Sequence, residues 1–379
     1  MRRLLLLVGA TIFVDTIFFA ALTPLLPKYA DDLGLSKAGV GVLAAAYPAG
    51  ALLGGIPSGY AAARYGVKPV VVTGLLLMVV TTTAFGFAED IVVLDLARFA
   101  QGFASSLTWT AGLAWLVSEA PPRQRGLLIG AAMSAAIVGA LFGPVLGGVA
   151  SVVGVEVAFA AVAALGLGLA VWAALMPAAR AEHPQPLSML WRAAKDRTVL
   201  GSVWFVTLPA LLFSTMGVLA PLRLDVLGMS AVGISAVYLV SAAIEAALNP
   251  LAGRISDRRG RLAPIRFGLA ASAIATALLP WPDSRWVLAG FVILAGMAFG
   301  LFWTPAMSHL ADLAERRGLD YAYGFALVNV AWAPGQAFGA ALGGALARAT
   351  SDAVPYLLLT GVCLLSLAAV GPWRSESSS

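Results

Sequence analysis

Charged residues are scarce in this chain of 379 residues. Asp, Glu, Lys and Arg make up 11% of it, against about 25% in an average soluble domain, and hydrophobic residues make up 60%. The mean hydropathy is +0.90. A soluble protein of this size could not bury so much apolar surface, so lipid must cover the excess. The composition therefore excludes a soluble enzyme, a nucleic-acid binder and a disordered protein.

Residues that form disulfides or bind metals are also few. The one cysteine, Cys363, lies in an apolar run and has no partner for an internal disulfide. The two histidines, His183 and His309, do not have a metal-ligand spacing. The chain has no His-Glu-x-x-His motif, no paired aspartates on facing spans and no activated serine motif. The sequence therefore predicts no metal, no cofactor and no enzymatic activity.

Apolar runs long enough to cross a bilayer fill almost the whole sequence. A spanning helix needs about 20 mostly apolar residues. The first run follows Arg2 and Arg3 like a signal peptide, but it is too long, contains Asp15 and lacks a small-x-small cleavage site, so we interpret it as a span. Twelve helices are predicted, at 4–27, 38–62, 69–88, 91–118, 125–151, 155–177, 199–222, 231–253, 263–281, 286–310, 321–347 and 353–373.

The distribution of basic residues predicts the orientation of these spans. With the amino terminus in the cytoplasm, all but six of the 24 Lys and Arg fall on the cytoplasmic side. The six exceptions are Lys28, Lys37, Arg223, Arg285 and Arg348 on the opposite side and Arg98 within a span. Because cytoplasmic loops carry an excess of Lys and Arg, this bias predicts a multi-pass protein of the cell membrane with both termini in the cytoplasm.

The longest polar stretch, residues 178–198, divides the chain into an N-terminal half, 1–177, and a C-terminal half, 199–379, with six spans each. Four apolar residues in this stretch follow helical spacing opposite three basic ones, which favours an amphipathic helix on the cytoplasmic face; a plain linker is the alternative. The apolar set is Leu187, Leu190, Trp191 and Ala194, and the basic set is Arg192, Lys195 and Arg197.

The two halves repeat each other. Gly59 and Gly66 recur as Gly253 and Gly260, and Trp109-Thr110 recurs as Trp303-Thr304, both at an offset of 194 residues. Gly143 and Gly147-Gly148 recur as Gly339 and Gly343-Gly344 at an offset of 196. These ordered pairs predict an all-α membrane protein in which twelve transmembrane helices form two pseudo-symmetric six-helix bundles. Secondary transporters use this arrangement around a central cavity.

Two glycine- and arginine-rich loops carry a resemblance to a known family. Residues 59–68, GYAAARYGVK, resemble the cytoplasmic loop signature of the major facilitator superfamily, and residues 253–261, GRISDRRGR, match it better. Asp257 supplies the acid that the first copy replaces with Ala63. Glycines permit a tight turn and arginines hold the loop at lipid phosphates; positive-inside topology alone is the alternative. The resemblance implies a gating role for Gly59, Arg64, Gly66, Gly253, Asp257, Arg258, Gly260 and Arg261.

Two further motifs extend the resemblance. Residues 98–102, RFAQG, resemble the fourth-helix motif of the family, and residues 139–148, GALFGPVLGG, resemble the fifth-helix motif of its antiporters. Glycines four apart make a flat face for helix contact, and a proline bends the helix there; simple packing is the alternative. The resemblance adds Gly139, Gly143, Pro144 and Gly147 to the predicted gating residues.

The first span completes the resemblance. Residues 15–27, DTIFFAALTPLLP, look like the first helix of twelve-span drug:proton antiporters and of the vesicular amine transporters. The resemblance covers essentially the whole chain, and it implies the fold, proton-coupled exchange and cationic lipophilic substrates. Vesicular relatives also carry an acid in the tenth helix, whereas Asp312 lies at the cytoplasmic end of that span here.

Charged side chains within the spans are candidate coupling residues. A carboxylate at bilayer depth costs about 2.5–3.5 kcal/mol, so each one calls for a reason. Asp15 and Glu245 lie near the middle of the first and eighth spans, and Arg98 lies in the fourth with Asp95, which is close to its outer boundary. We expect Asp15 or Glu245 to carry the proton and Arg98 to tune it. A static buried pair between Arg98 and Asp95 is the alternative.

Aromatic and polar residues on helices that would line a cavity are the candidate substrate contacts. Aromatic faces attract organic cations, although tryptophan is also common at membrane interfaces and in ordinary packing. The candidates are Phe18, Trp109, Tyr238, Asn249, Trp303, Asn329, Trp332 and Gln336.

Together these features predict a secondary transporter that exports drug-like, lipophilic cations in exchange for protons by alternating access. A symporter or uniporter for a sugar or other metabolite, and a lipid flippase of the same fold, are the alternatives. The expected partners are a small-molecule substrate, protons and the lipid bilayer, without nucleic acid, and the expected state is a monomer.

Overall fold

The computed structural model of the chain describes residues 1–121, 124–177, 196–259, 262–316, 318 and 321–370. Throughout these ranges the chain is helical and contains no strand. The all-α class is therefore confirmed. The predicted amphipathic helix in the polar stretch lies outside the described residues.

The N-terminal half forms one broken and five continuous long helices. Pro24 and Pro27 cannot donate backbone hydrogen bonds, and the first span changes there from α-helix to a 3-10 turn at Thr23–Leu25. The helices are α1 (Arg2–Ala20), α2 (Leu26–Asp32), α3 (Lys37–Tyr65), α4 (Val67–Gly86), α5 (Ile91–Glu119), α6 (Arg125–Val153) and α7 (Val155–Leu175).

The C-terminal half follows the same order of long helices with short connections. Its helices are α8 (Arg197–Val226), α9 (Ala231–Arg259), α10 (Leu262–Leu278), α11 (Arg285–Arg316), α12 (Tyr321–Ala349) and α13 (Ala353–Ala369). Eight helical segments in the described ranges are long and apolar enough to cross a membrane. The helices α10 and α13 are apolar but shorter, with 17 residues each.

Glycine stripes pack equivalent helices together in both halves. A Cβ atom added at Gly143 of α6 would collide with Ala20 of α1. In the second half, a Cβ added at Gly339 of α12 would collide with Leu211 of α8. The repeated glycines of the sequence therefore occupy equivalent close contacts, the fifth long helix against the first in each half.

The two halves contact each other at one end of the molecule. The start of α3 packs on the end of α12, where Gly41 meets Ala340, and the end of α6 packs on the start of α9, where Gly148 meets Ser235. Lys37 at the start of α3 forms an ion pair with Asp352, the residue before α13. We call this end, marked by Lys37, Gly148, Ser235 and Asp352, the closed end.

Candidate functional site

Asp15 lies at the centre of a buried hydrogen-bond cluster in the N-terminal half. Its side chain is 3% exposed. The hydroxyl of Tyr47 on α3 donates to both carboxylate oxygens at 2.9 Å. From α5, the Ser105 hydroxyl donates to Oδ2 at 2.8 Å and the Trp109 indole nitrogen donates to Oδ2 at 2.7 Å. Three helices thus converge on one carboxylate.

Arg98 lies beside this cluster and is 1% exposed. Its guanidinium donates to the side-chain oxygen of Gln101 at 2.9 Å and to the backbone oxygens of Phe18 and Phe19 at 3.4 Å. The guanidinium carbon also lies 5.0 Å from the centre of the Tyr47 ring, within the range of a cation–π contact. Tyr47 therefore contacts both the buried acid and the buried base.

Close contact between α3 and α5 brings Tyr47 to this position. A Cβ at Gly102 of α5 would collide with the backbone oxygen of Tyr47, and one at Gly50 of α3 would collide with that of Phe99. The two backbones can approach this closely because neither glycine has a side chain. Gly102, the last residue of the predicted fourth-helix motif, therefore helps to build the Asp15 cluster.

Asp95 is not part of the cluster. Its side chain is partly exposed, and its buried Oδ1 atom has no hydrogen-bond partner in the described part of the chain. The alternative of a static pair with Arg98 is therefore wrong, because Arg98 bonds instead to Gln101 and to backbone oxygens of α1.

A chain of aromatic rings leads from the cluster to the other half of the molecule. The Phe19 ring lies 4.9 Å from the Tyr47 ring and 5.5 Å from the ring of Trp332 on α12. We call Tyr47, Phe19 and Trp332 the aromatic bridge. Phe18 points elsewhere and is fully buried, with its ring 4.8 Å from Phe159 and 6.0 Å from Phe85.

Glu245 on α9 occupies a simpler environment in the C-terminal half. A Cβ at Gly300 of α11 would meet the Glu245 side chain, and one at Gly296 would meet the Ser241 hydroxyl. The side chains of Ser241 and Glu245 on α9 thus face a pair of glycines on α11. Tyr238 lies on the same helix and donates to the backbone oxygen of Met216 at 3.2 Å.

The remaining candidates of the C-terminal half are distributed along α11 and α12. Trp303, the repeat partner of Trp109, is partly buried and packs against an apolar cluster that includes Leu310. Asn329 and Gln336 are partly exposed. The backbone oxygen of Gln336 accepts a hydrogen bond from the Ser214 hydroxyl at 2.6 Å.

The first glycine–arginine loop joins α3 to α4. Gly66 has a φ of +89°, a conformation that side-chain-bearing residues rarely adopt, so glycine is needed at this turn. Exposed Arg64 donates to the Tyr60 hydroxyl at 2.8 Å, while Gly59 has open space around its Cα. The second glycine–arginine loop lies largely outside what the structure describes. This applies to residues Gly260 and Arg261, to the surroundings of Gly253, and to the side chains of Asp257, Arg258 and the nearby Asn249.

In the antiporter-like motif, Gly139 and Gly143 lie against α1, and Gly147 lies against the residues that follow it. A Cβ at Gly139 would meet the backbone of Phe13, and one at Gly147 would meet Ala21 and Pro24. Pro144 lies within the same helix, between the contacts at Gly143 and Gly147. This surface packs the fifth long helix against the helix that carries Asp15.

Tyr47, Phe19 and Ser105 were not among the predicted site residues. Tyr47 carried one detectable signal, a hydroxyl near the middle of a predicted span whose other hydroxyls, on Ser58 and Tyr60, lie near its end. Phe19 carried none, because Phe18 and Phe19 are adjacent and chemically identical.

Comparisons with known proteins agree with this architecture. A family model described as Major Facilitator Superfamily matches residues 8–324 and 245–379. The synaptic vesicular amine transporter of Mus musculus is 28% identical over 356 residues, which cover 90% of this chain and 67% of the transporter. The MFS-type transporter ppzB of Metarhizium rileyi is 31% identical over 147 residues, 38% of this chain and 30% of the fungal protein. The chain thus aligns with about a third of the length of the fungal relatives.

A similar fold occurs among solved structures. The crystal structure of the nucleoside transporter NupG superposes with a TM-score of 0.73, covering 98% of this chain and 100% of the other, at 13% sequence identity. At this identity the likeness concerns the fold alone.

Proposed function

Because the chain belongs to the major facilitator superfamily of transporters, we propose that it exports lipophilic organic cations across the cell membrane in exchange for protons. The observation that carries the proposal is Asp15, a carboxylate buried in the membrane-spanning part of the molecule and connected by aromatic rings to the opposite half. A carboxylate supplies the countercharge for a cation, and the rings supply apolar and cation–π contacts.

The similarity to vesicular amine transporters supports a cationic substrate. A protonated amine combines an ammonium group, which suits the carboxylate, with an apolar body, which suits the aromatic bridge. Glu245 supplies a second carboxylate, on the C-terminal half. Exchange follows if the proton and the substrate compete for the same carboxylate, so that binding of one releases the other.

The membrane arrangement is part of the proposal. Twelve crossings with both termini in the cytoplasm put Lys37 and Asp352 on the outer side, in line with the excess of Lys and Arg in the other loops. The closed end then faces outwards. Alternating access requires this end to open after the opposite end has closed.

Transport in proteoliposomes with an acidic lumen tests the proposal. We expect cationic compounds to accumulate inside and neutral sugars and nucleosides not to. Asp15→Asn and Glu245→Gln should fold, and at least one should lose gradient-driven accumulation, because an amide cannot exchange a proton. Asp32→Asn is the matched control, since Asp32 is exposed and bonds only to Lys28 among the described contacts, at 2.7 Å.

Undiminished accumulation in both variants would refute the assignment of the proton carrier. Accumulation of neutral compounds instead of cations would favour the alternative of a metabolite transporter. A sodium gradient without a pH gradient serves as the control for the coupling ion.

A further inference from the structure

The hydrogen bonds on Asp15 are divided unequally between its two oxygens. Oδ2 accepts from Tyr47, Ser105 and Trp109, whereas Oδ1 accepts from Tyr47 alone within the described structure. A carboxylate has about four acceptor positions, two on each oxygen. Ser105 and Trp109 therefore fill Oδ2, and the single hydroxyl proton of Tyr47, which is shared between the two oxygens, is the donor that occupies Oδ1 in the described structure.

Tyr47 also controls access to that oxygen. Asp15 is 3% exposed, and the Tyr47 hydroxyl lies 2.9 Å from Oδ1. The ring of Tyr47 contacts Phe19, which in turn contacts Trp332 across the interface between the halves. A molecule arriving between the halves along the aromatic bridge therefore meets Tyr47 before it meets Oδ1.

From these contacts we infer that Oδ1 of Asp15 receives the N–H group of an ammonium substrate, and that the Tyr47 hydroxyl substitutes for this group when the site is empty. This inference rests on the proposed transport of cations. Oδ1 is the atom that binds the substrate, and the Tyr47 hydroxyl is the gate that the substrate must displace. Tyr47 is then a specificity residue, because a ligand must offer a hydrogen-bond donor as well as a charge to displace it.

The alternative arrangement, in which the ammonium group bonds to Oδ2, is unfavourable. It would require Ser105 or Trp109 to give up a hydrogen bond at 2.8 or 2.7 Å, and both residues belong to the long helix α5. Displacing Tyr47 from Oδ1 leaves Oδ2 with its two donors from α5. In the empty site, Oδ2 therefore stays bonded to α5, whereas Oδ1 is bonded to Tyr47 only until a substrate replaces it.

Binding of two cations to the purified full-length protein in nanodiscs tests the inference. Phenethylammonium carries N–H donors, and tetraphenylphosphonium carries a charge without any. We expect Tyr47→Phe to bind phenethylammonium about fivefold more tightly, equivalent to the ~1 kcal/mol of one net hydrogen bond, because no donor has to leave Oδ1. The affinity for tetraphenylphosphonium should change less than about twofold.

Two further variants act as controls. Tyr29→Phe also removes a buried hydroxyl from the N-terminal half, but one that has no hydrogen-bond partner in the described structure, so binding of both cations should stay unchanged. Ser105→Ala removes one of three donors from Oδ2 and should not tighten phenethylammonium binding. The variant Tyr47→Phe keeps its ring over Arg98, and a thermal melt shows whether it is folded.

The outcomes separate the inference from the proposed function. If the wild-type protein binds phenethylammonium and Tyr47→Phe binds it equally or more weakly, the displacement of Tyr47 by the substrate is refuted. The proposed transport of cations is not affected by that result. Equal tightening for both cations would refute the requirement for an N–H donor. A wild-type protein that binds neither cation would overturn both proposals.

Discussion

At the scale of single residues, Arg98 is a buried cation whose described contacts are neutral. It donates to Gln101 and to two backbone oxygens of α1, and three aromatic rings lie within 5.6 Å of its guanidinium carbon. A guanidinium group is planar and weakly hydrated, so it can stack on rings and donate in several directions at once. Lysine instead carries a compact, strongly hydrated ammonium group without the planar fork.

We therefore expect Arg98→Lys to be a severe substitution although it keeps the charge. The ammonium group cannot reach Gln101 and the α1 backbone together, so stability should fall by about 1–3 kcal/mol and the transport rate should fall with it. Thermal melts and initial rates measure the two effects. Arg348→Lys, on an exposed arginine outside the predicted gating motifs, should behave like the wild type; equal behaviour of both variants would contradict the role of the guanidinium.

The sequence could identify Asp15 and Arg98, because a charge inside an apolar span is conspicuous. It could not identify Tyr47, whose importance depends on Gly102 bringing two helices together. It could not choose between Phe18 and Phe19 either. Successive helical residues point about 100° apart, and a helix that is apolar on all sides gives no indication of which side meets the cluster.

At the scale of helices, glycines four residues apart determine how closely α6 and α1 approach. Gly139 and Gly143 would each place a Cβ atom against α1, and Gly147 would place one against Ala21 and Pro24 just after it, mostly against backbone. A backbone cannot move aside like the end of a flexible side chain. The spacing of these helices, and with it the position of Asp15 on α1, depends on the absence of side chains there.

This dependence predicts different effects for two identical substitutions in α6. Gly143→Ala should push α6 away from Ala20, destabilise the N-terminal half by about 1–3 kcal/mol and reduce transport. Gly130→Ala, on the same helix, has open space around the new methyl group and should leave both properties unchanged. Melting temperature and initial transport rate measure the difference. A Gly143→Ala protein as stable as Gly130→Ala would show that α6 and α1 can separate freely.

The helix boundaries were the most predictable feature of the fold. The second predicted span, 38–62, is the helix Lys37–Tyr65, and the fourth, 91–118, is Ile91–Glu119. Polar and glycine-containing connections mark such ends in an apolar sequence. The break in the first span at Thr23–Leu25 was not predicted, because a proline inside a membrane helix is compatible with either a kink or a change of helix type.

At the scale of the whole molecule, the closed end joins the halves through small residues and one ion pair. Alternating access predicts that this contact must break in every transport cycle. A covalent bond across it should therefore stop transport. Gly148 and Ser235 can form such a bond after a small separation of the two helices, because a Cβ built at Gly148 lies 3.0 Å from the Ser235 Cβ and disulfides need about 3.5–4.5 Å.

We expect the pair Gly148→Cys and Ser235→Cys, made in a Cys363→Ser background, to lose transport on oxidation and regain it on reduction. Each single cysteine variant should transport under both conditions, which controls for the substitutions themselves. The measurement is uptake before oxidation, after oxidation and after reduction. Full transport by the oxidised, verified cross-linked protein would contradict the opening of this end.

The contact between α3 and α12 at the closed end is made by backbone rather than by interlocking side chains. Gly41 lies against Ala340 and Gly344, and Gly344 lies against Lys37. Gly41 and Gly344 present no side chain that has to be displaced when the helices separate, and among the described contacts at this end the Lys37–Asp352 ion pair must then be broken. Such an interface closes in one register, and it can separate and form again rapidly in every transport cycle.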